Sequence, residues 1–254
     1  MLVSVLASGS KGNATLIKTQ KYNILVDAGM TCSYLESNLK QYNLSLSMID
    51  YIILTHTHID HTSALNNLVK KYHPVLIMTD KMFFDLKFLK NYLHLQIIVD
   101  DLTLDGLLIE SIKTSHDTSD SRGYIITEGN SSVAIITDTG YLNQKHFPKL
   151  TNKSMYIFES NHNVEMLMHG RYPKWLKRRV GSDVGHLSNE ASSYYLTKII
   201  GPHTKYIILA HLSEENNTPE IALETIRNHF TEQNINFDNI VAAKQNEQIE
   251  GIEI

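Results

Sequence analysis

Short hydrophobic runs, rich in β-branched residues and separated by glycine or polar turns, fill the first half of the chain. Runs of this kind are typical of β-strands. They predict nine strands, at residues 2–6, 14–19, 23–26, 51–54, 75–78, 96–99, 107–113, 122–127 and 133–137. The same pattern predicts two strands in the second half, at residues 155–159 and 206–210.

Amphipathic segments lie between and after these strands. Hydrophobic residues that recur every three or four positions predict five helices, at residues 33–42, 62–71, 80–91, 188–200 and 219–233. Ser188 and Thr218 are expected N-caps, and Pro219 stands at the first position of the last helix. Strands that alternate with helices, together with several hairpins, predict an α/β fold with mixed sheets.

The composition is that of a globular protein and excludes several classes. The chain has 254 residues, of which 42% are hydrophobic and 20% are charged, so it is long enough to bury a sizeable core. No proline-rich linker, low-complexity tract or repeat divides it, so we expect a single domain over residues 1–254. The longest apolar runs fall far short of the roughly 20 residues that span a bilayer, so no membrane association is expected.

The single thiol and the first residues indicate a compartment. Cys32 is the only cysteine, which excludes a disulfide framework and a cysteine-built zinc site. The first residues lack the basic segment of a signal peptide. We therefore expect a cytoplasmic protein, in which Cys32 has no catalytic role.

Four apolar runs end in residues that commonly bind metals. Asp27, His56, Asp138 and His211 each follow such a run directly. The carboxyl ends of strands are where open α/β sheets build their sites. One such ending is adequately explained as a capping residue, but four together indicate a common site.

Residues 56–61, with the sequence His-Thr-His-Ile-Asp-His, are the densest of these features. His56 and His58 are two apart and point to one side if the strand continues, whereas Asp60 and His61 fall in the turn before the next helix. This arrangement suits two metal ions roughly 3.5 to 4 Å apart better than one. A surface histidine patch is the simpler alternative, but the preceding strand is expected to bury the start of the cluster.

The motif Thr-His-x-His-x-Asp-His at residues 55–61 resembles the signature of the metallo-β-lactamase superfamily, and the match extends over nearly the whole chain. Asp27 resembles that family's early strand-end aspartate. The resemblance implies an αββα sandwich, with two mixed β-sheets flanked by helices. It also implies that one ion is held by His56, His58 and His116, the other by Asp60, His61 and His211, and that Asp138 lies between them. Asp60 is in addition an expected catalytic residue.

Further phrases are similar to the YycJ/WalJ group of bacterial proteins. They are residues 8–13 (Ser-Gly-Ser-Lys-Gly-Asn), 159–162 (Glu-Ser-Asn-His), 185–190 (Gly-His-Leu-Ser-Asn-Glu) and 210–219. This similarity implies a metal-dependent 5′ to 3′ DNA exonuclease of the cytoplasm. Asn163 departs from the group, which has an acidic residue there, but the departure leaves the implied ligands untouched.

The implied ligands are all nitrogen or oxygen donors, which is compatible with two zinc or two manganese ions. Two such ions lower the pKa of a shared water toward about 7 and neutralise charge on a phosphoryl or carbonyl oxygen. A metal-bridging hydroxide is therefore the expected nucleophile, and no covalent one is needed.

Residues 167–182 form the only concentrated basic stretch and contain no acid. Guanidinium groups and aromatic rings suit phosphate oxygens and unstacked bases, although a solvated helix face has the same composition. The basic side chains expected to bind substrate are Arg171, Lys174, Lys177, Arg178 and Arg179. His186 repeats the His-Leu-Ser setting of His211, so we expect it to bind a substrate phosphate or to protonate the leaving oxygen.

The remaining features carry less weight. The net charge of −4 argues against a protein that coats nucleic acid by bulk charge. Residues 8–13 favour a hairpin turn over a phosphate-binding loop. Surface positions are expected for His73, His94, His146, His203 and His229, while a site role for His162 stays open.

Together these features predict a dinuclear phosphodiester hydrolase that acts on nucleic acid, with DNA favoured. Two alternatives remain at this point. One is a small-molecule metallohydrolase, such as a cyclic phosphodiesterase or a thioesterase. The other is a non-catalytic regulatory protein that keeps its metals for structure.

Overall fold

Fourteen strands form two seven-stranded sheets in the computed structural model, which describes residues 1–254. They are β1 (Leu2–Ala7), β2 (Ala14–Lys18), β3 (Asn23–Val26), β4 (Tyr51–Ile53), β5 (Val75–Met78), β6 (Leu95–Ile97), β7 (Asp101–Leu104), β8 (Leu107–Lys113), β9 (Arg122–Glu128), β10 (Ser131–Ile136), β11 (Met155–Glu159), β12 (Tyr206–Ala210), β13 (Ile240–Ala242) and β14 (Ile252–Glu253). The first sheet has the order β14-β1-β2-β3-β4-β5-β6, and the second has the order β13-β12-β11-β10-β9-β8-β7.

Nine helices accompany the sheets. They are α1 (Cys32–Leu39), α2 (Ile59–Thr62), α3 (Leu65–Lys71), α4 (Asp80–Asp85), α5 (Phe147–Leu150), α6 (Val164–His169), α7 (Lys174–Val180), α8 (Asn189–Ile199) and α9 (Pro219–Glu232). Short 3₁₀ segments occur at Lys40–Tyr42, Leu46–Met48, Lys87–Leu89 and Gln144–His146. None of the helices has the length and hydropathy that crossing a bilayer requires.

Successive side chains of each strand point to opposite faces of its sheet, and this alternation produces four layers of helices and sheets. In β10, Val133 and Ile135 pack into a cluster between the two sheets, while Ala134 and Ile136 pack outward with α8 and α9. The outer face of the first sheet is covered in the same way by α1, α3 and α4. Successive strand residues point to opposite faces, so a strand that is apolar throughout must be buried on both. The result is the predicted αββα sandwich of two mixed sheets flanked by helices.

Strand direction determines where polar residues collect. Strands β3 to β6 are parallel to one another, and so are β10 to β13, whereas the remaining pairs are antiparallel. The carboxyl ends of parallel strands share one edge of their sheet. We call this the carboxyl edge, and the opposite side the amino edge.

Most sequence-predicted elements agree with the structure, and the eleven predicted strands are confirmed to within two residues at each end. The N-caps are also confirmed, since the Ser188 hydroxyl accepts from Ala191 N and the Thr218 hydroxyl from Ile221 N. The pattern did not predict β7, β13 and β14. These strands have two to four residues, too few for a clear alternation.

Three predicted helices are too long. The helix expected at residues 80–91 ends at Asp85, because Leu86 leaves the helical conformation and is buried together with Leu89. The helix expected at 62–71 begins only at Leu65, and α2 forms a separate turn before it. The helix expected at 33–42 ends at Leu39 and continues as a 3₁₀ segment. Helices α5, α6 and α7 were not predicted.

Candidate metal centre

Five strand ends converge at the carboxyl edge of the two sheets. Strands β3, β4, β10 and β12 lead into Asp27, His56, Asp138 and His211, and β11 ends at Glu159. Asp27, Asp138 and His211 have φ angles of 63°, 55° and 56°. A non-glycine residue in this left-handed region costs of order 1 kcal/mol or more and persists only where its surroundings hold it. Three such residues at one edge are typical of a functional site.

Three histidines form the first candidate ligand group. Donor atoms of His56, His58 and His116 lie within 4.8 Å of one another. Their ring centroids are 4.7 to 5.1 Å apart. Nδ1 of His116 donates to the carbonyl of Gly185 at 3.1 Å, which leaves its Nε2 free to bind a cation.

Asp60, His61 and His211 form the second group, also with donor atoms within 4.8 Å of one another. Nδ1 of His61 donates to Asp27 Oδ2 at 2.8 Å. Asp27 is held in turn by the backbone N–H and the hydroxyl of Thr55, both at 2.8 Å. A histidine oriented by a carboxylate in this way is the usual arrangement behind a protein-bound metal ion.

Asp138 lies between the two groups. Its carboxylate forms a group with His56 and His61 whose donor atoms lie within 4.8 Å of one another, and a second such group with His211, His186 and Glu159. Its Oδ2 is 3.3 Å from His61 Nε2, and its Oδ1 is 3.8 Å from His116 Nε2. This carboxylate can therefore reach a cation in either group.

Buried polar atoms without partners indicate that the site fits cations. His56 Nε2, Asp138 Oδ2 and His211 Nε2 are buried and make no hydrogen bond within the protein. Leaving such atoms unsatisfied costs about 1–3 kcal/mol each. A donor set of imidazole and carboxylate suits zinc, manganese and other borderline divalent ions. The residues present thus fit the metal ions that the sequence predicts.

The protonation states agree with this fit. Burial, reinforced by the nearby His61, holds the pKa of His56 well below its ordinary value, so its lone pair is available. Burial alone would raise the pKa of Asp138, but His211 and His61 outweigh it and hold that pKa well below the usual range. Burial opposes the charged form of His211 as well, yet Asp138 and Asp60 raise its pKa to about 10. A cation binding there must displace this proton, so binding weakens as the pH falls.

Glu159 is the functional residue that sequence reasoning missed. Its fully buried Oε1 accepts from His186 Nδ1 at 2.7 Å and from His211 Nδ1 at 3.1 Å, and its Oε2 accepts from the backbone N–H of Thr139 at 2.9 Å. Burial opposes its ionisation, but His186 and His211 lower the pKa of Glu159 to about 2. The available signal was that β11, like four other apolar runs, leads into a metal-binding type of residue.

Residues 8–13 form the predicted turn between β1 and β2, and they also support the metal centre. Asn13 Nδ2 lies 2.9 Å from His61 Nε2 and 3.3 Å from Asp60 Oδ2. A Cβ atom at Gly29 would lie 1.5 Å from the carbonyl oxygen of Asp60. Only glycine allows the chain to approach the loop that carries Asp60 so closely.

A cavity of about 880 Å³ opens beside the metal centre. His186 lines this cavity. Its ring centroid is 5.0 Å from that of His116 and 5.1 Å from that of His211. His186 thus connects the ligand groups to the cavity. The polar side chains of the lining include His162, Lys174, Lys177, Arg178, His186 and Ser188.

The structure divides the basic residues expected to bind substrate. Lys174, Lys177 and Arg178 line the cavity, whereas Arg171 is exposed and lies outside its lining. Arg179 forms an ion pair with Asp117. Because Asp117 Oδ1 is 3.5 Å from His116 Nε2, Arg179 acts next to the ligand groups and not in the cavity.

The remaining histidines and the thiol occupy different environments. His162 is buried, and its Nδ1 atom has no hydrogen-bond partner within the protein. Burial lowers the pKa of His162 to about 4. The predicted surface positions are confirmed for His73, His94 and His203, whereas His146 and His229 are half-buried. Cys32 is half-buried, with Sγ 3.9 Å from the carbonyl of Ala64.

The fold and the paired ligand groups are those of a metal-dependent hydrolase. The chain belongs to the Metallo-beta-lactamase superfamily, whose family model matches residues 7–211. The resemblance inferred from the motif at residues 55–61 is therefore confirmed.

Two relatives extend the similarity over most of the chain. The Exodeoxyribonuclease YycJ of Bacillus anthracis is 37% identical over 224 residues, which cover 86% of this chain and 85% of the relative. The Exodeoxyribonuclease WalJ of Streptococcus pneumoniae is 35% identical over 237 residues, which cover 90% of this chain and 88% of the relative. The predicted similarity to the YycJ/WalJ group is confirmed.

A solved structure supports the fold independently. The metallo-beta-lactamase fold protein YhfI from Bacillus subtilis superposes with a TM-score of 0.73 and covers 98% of both chains. The two sequences are 20% identical, so this likeness concerns the fold alone.

Proposed function

We propose that the chain is a dinuclear metal-dependent nuclease that removes nucleotides from DNA in the 5′ to 3′ direction. The observation that carries the proposal is the pair of ligand groups, which share Asp138 and open into a cavity lined by Lys174, Lys177 and Arg178. The relatives named exodeoxyribonucleases support DNA as the substrate.

The ligand sets follow from the two groups. His56, His58 and His116 would hold one zinc or manganese ion, Asp60, His61 and His211 would hold the other, and Asp138 would bridge them. When bound, the ions would supply a hydroxide nucleophile at neutral pH and neutralise charge on the phosphoryl oxygens. Burial opposes ionisation of Asp60, but the imidazoles of His211 and His61, whose Nε2 atoms lie 3.8 and 3.5 Å from Asp60 Oδ2, keep its pKa far below the usual range. Asp60 is thus an anion that can also accept a hydrogen bond from the attacking water.

His186 would protonate the departing 3′ oxygen. Its Nδ1 donates to Glu159, so Nε2 is the nitrogen left for a substrate, and the ring lines the cavity. General acids of this kind contribute about 10² to 10⁴ in rate. Glu159 is a positioning residue, because it fixes which nitrogen of His186 carries the bound proton.

The cavity would bind the DNA strand through its phosphates. Lys174 and Arg178 are exposed at the cavity and have no ion-pair partner, because the salt bridge of helix α7 belongs to Arg179. Ammonium and guanidinium groups bind phosphate oxygens without reading the base sequence. We propose the cytoplasm as the compartment, since DNA and a reducing environment suited to the free thiol of Cys32 occur together there.

Digestion of end-labelled oligonucleotides tests the proposal. With zinc or manganese, a 5′ label should leave early as a mononucleotide, while a 3′ label remains on fragments that shorten progressively. His58→Ala should abolish digestion, and His203→Ala should not, because this exposed histidine precedes the amino end of β12 whereas the ligands follow the carboxyl ends of the strands. Intact DNA alongside turnover of a cyclic phosphodiester or a thioester would identify a small-molecule hydrolase instead. No turnover of any of them by the metal-loaded protein would favour a regulatory role.

A further inference from the structure

A second cleft lies at the amino edge of the first sheet, away from the metal centre. It has a volume of about 670 Å³ and is lined by residues between Asn66 and His94. The segments that line it lead into β5 and β6, which are parallel, so it faces the starts of these strands. The metal centre faces the strand ends, and a four-residue strand such as β5 spans about 13 Å. We call this region the amino-edge cleft.

The amino-edge cleft is positively charged. Lys70, Lys87 and Lys90 are exposed in its lining, which contains no acidic residue. The lysines that form ion pairs are elsewhere in the chain: Lys11, Lys21, Lys149 and Lys244. Three uncompensated cations in a chain of net charge −4 create a local attraction for a polyanion.

Exposed planar and apolar side chains accompany these cations. Phe88 is 44% exposed and Leu93 is 89% exposed in the lining, and Phe84, on the preceding helix, is 73% exposed. Asn66 Oδ1, also in the lining, is buried without a hydrogen-bond partner. Aromatic rings interleaved with lysines are how proteins bind single-stranded nucleic acid, by stacking bases and contacting phosphates. Charge alone would suit an acidic peptide equally well, but the exposed rings favour bases.

One segment connects the amino-edge cleft to the metal centre. Helix α4 starts directly after β5, at the carboxyl edge, and residues 86–94 return to the amino edge. Asp85 accepts hydrogen bonds from Ser119 and, at 3.4 Å, from Thr57, which lies within the 56–61 cluster. The acids of this segment, Asp80 and Asp85, belong to α4, whereas residues 87–94 contain two lysines and one histidine and no acid.

We propose that the amino-edge cleft is a second binding surface for single-stranded DNA, which holds the part of the strand remote from the scissile bond. The inference rests on the proposed nuclease function and adds to it a dependence on substrate length. A strand that reaches the cleft gains stacking on Phe88 and contacts with Lys87 and Lys90. A strand too short to reach it is bound only by the cavity beside His186.

Kinetics on two substrate lengths test this surface. Lys87→Ala combined with Lys90→Ala should raise KM about tenfold for single-stranded DNA of about 30 nucleotides, and leave KM unchanged for one of about four. The kcat should not change, because no ligand is touched. A phosphorothioate oligothymidylate measures binding directly. Because two phosphate contacts are lost, the slope of log binding constant against log salt concentration should become shallower by about 1.4. Phe88→Ala should weaken binding of the longer strand without changing that slope.

Lys198→Ala combined with Lys205→Ala is the matched control, since it removes two exposed lysines from the other sheet's side and should change nothing. Unchanged KM and salt slope in the Lys87 and Lys90 variant would overturn the second surface and leave the nuclease proposal standing. An equal rise of KM on both lengths would overturn it too, as would tighter binding of oligoglutamate than of oligothymidylate. A wild-type chain that digests no oligonucleotide would instead refute the nuclease function, while direct binding would still test the cleft.

Discussion

Glu159 accepts hydrogen bonds from two histidines, one proposed as a general acid and the other as a metal ligand. One carboxylate oxygen accepts from both His186 and His211, and the other accepts from two backbone N–H groups, of Thr139 and Leu187. Both oxygens are therefore satisfied, and the carboxylate stays charged although it is fully buried. A buried anion with complete hydrogen bonding is a rigid reference point from which the two imidazole rings are oriented.

Replacing Glu159 by glutamine tests this role. Glu159→Gln preserves the side-chain shape but removes the charge that orients His211, so metal affinity should fall about 10- to 100-fold. Competition with a coloured zinc chelator measures the affinity. Glu165→Gln, at a side chain that is 82% exposed, is the matched control. Unaltered affinity in Glu159→Gln would remove this residue from the support of the metal centre.

A leaving-group comparison tests His186. His186→Ala should lower kcat on DNA by about 10²-fold, because the departing oxygen loses its proton donor. The loss should shrink on a nitrophenyl phosphodiester, whose leaving group needs no proton. Metal content, measured in parallel, should stay normal. Since His186 lies within reach of Asp138 and His211, loss of one ion in this variant would make it a ligand instead of an acid.

The lowered pKa of the buried His162 leads us to expect that the folded protein loses stability in acid. Burial is the main cause that lowers its pKa from 6.5 to about 4, with His186 adding to the effect and Glu159 opposing it. Between these two pH values the unfolded chain binds more protons than the folded one, so the free energy of unfolding falls as the pH drops. The shift corresponds to about 3 kcal/mol across that window.

Denaturant unfolding at pH 7.5 and at pH 4.5 measures this contribution. Wild type should lose more stability on acidification than His162→Asn, which has no titrating ring at that position. His203→Asn replaces an exposed histidine and should behave like wild type. If His162→Asn loses as much stability on acidification as wild type does, folding does not lower the pKa of His162.

At the scale of elements, helix α7 divides its basic residues between two tasks. Successive helix positions differ by about 100° in direction, so the neighbours Arg178 and Arg179 cannot share a face. Arg178 lines the cavity, while Arg179 pairs with Asp117 beside His116. The composition of the stretch predicts phosphate binding for both, but the helical geometry supports that task only for Arg178.

Single arginine substitutions separate these tasks. Arg178→Ala should raise KM for single-stranded DNA and reduce the log–log salt slope by about 0.7, the value for one phosphate contact. Arg171→Ala removes an exposed arginine outside the cavity lining and should leave the slope unchanged. Arg179→Ala should leave the slope unchanged and alter metal affinity instead, because it frees the carboxylate of Asp117 beside His116. Equal effects of Arg171→Ala and Arg178→Ala on the slope would indicate a diffuse charge effect.

At the scale of the whole molecule, one hydrophobic cluster lies between the two sheets and belongs to both. Val26 of β3 and Ile135 of β10 both contribute to it. Each proposed ion would likewise be bound by residues from both halves of the chain, since His116 and His211 follow the second sheet's strands. We therefore propose that residues 1–254 unfold as one domain and that metal binding stabilises all of it.

Metal removal tests this coupling. Zinc or manganese at about 100 times its Kd should raise the free energy of unfolding by about 2.7 kcal/mol per occupied site. Elemental analysis should find close to two ions per chain, and His58→Ala should lose the increment of one site. His203→Ala should keep both increments. Identical unfolding curves with and without chelator would refute the metal-centre assignment.

The sequence alone determined eleven of the fourteen strands and the types of most candidate donor residues. Strand periodicity is a local property, and an apolar run buried on both faces is recognisable wherever it occurs. Four runs leading into aspartate or histidine, together with the 56–61 cluster, indicate the candidate ligand types without reference to a fold. Helix lengths were less certain, because Leu86 leaves the helix through packing against the rest of the chain.

Only the tertiary structure decided how these groups work together. The partners of Glu159, His186 and His211, lie 27 and 52 residues away along the chain. His211 meets Glu159 because β11 and β12 pair in one particular parallel register, whereas His186 is supplied by the segment between α7 and α8. The same holds for Arg179, whose partner Asp117 is 62 residues away, and for the amino-edge cleft, which joins the segments before β5 and β6. Contacts between residues distant in sequence leave no local periodicity, so composition indicates their chemistry but not their partners.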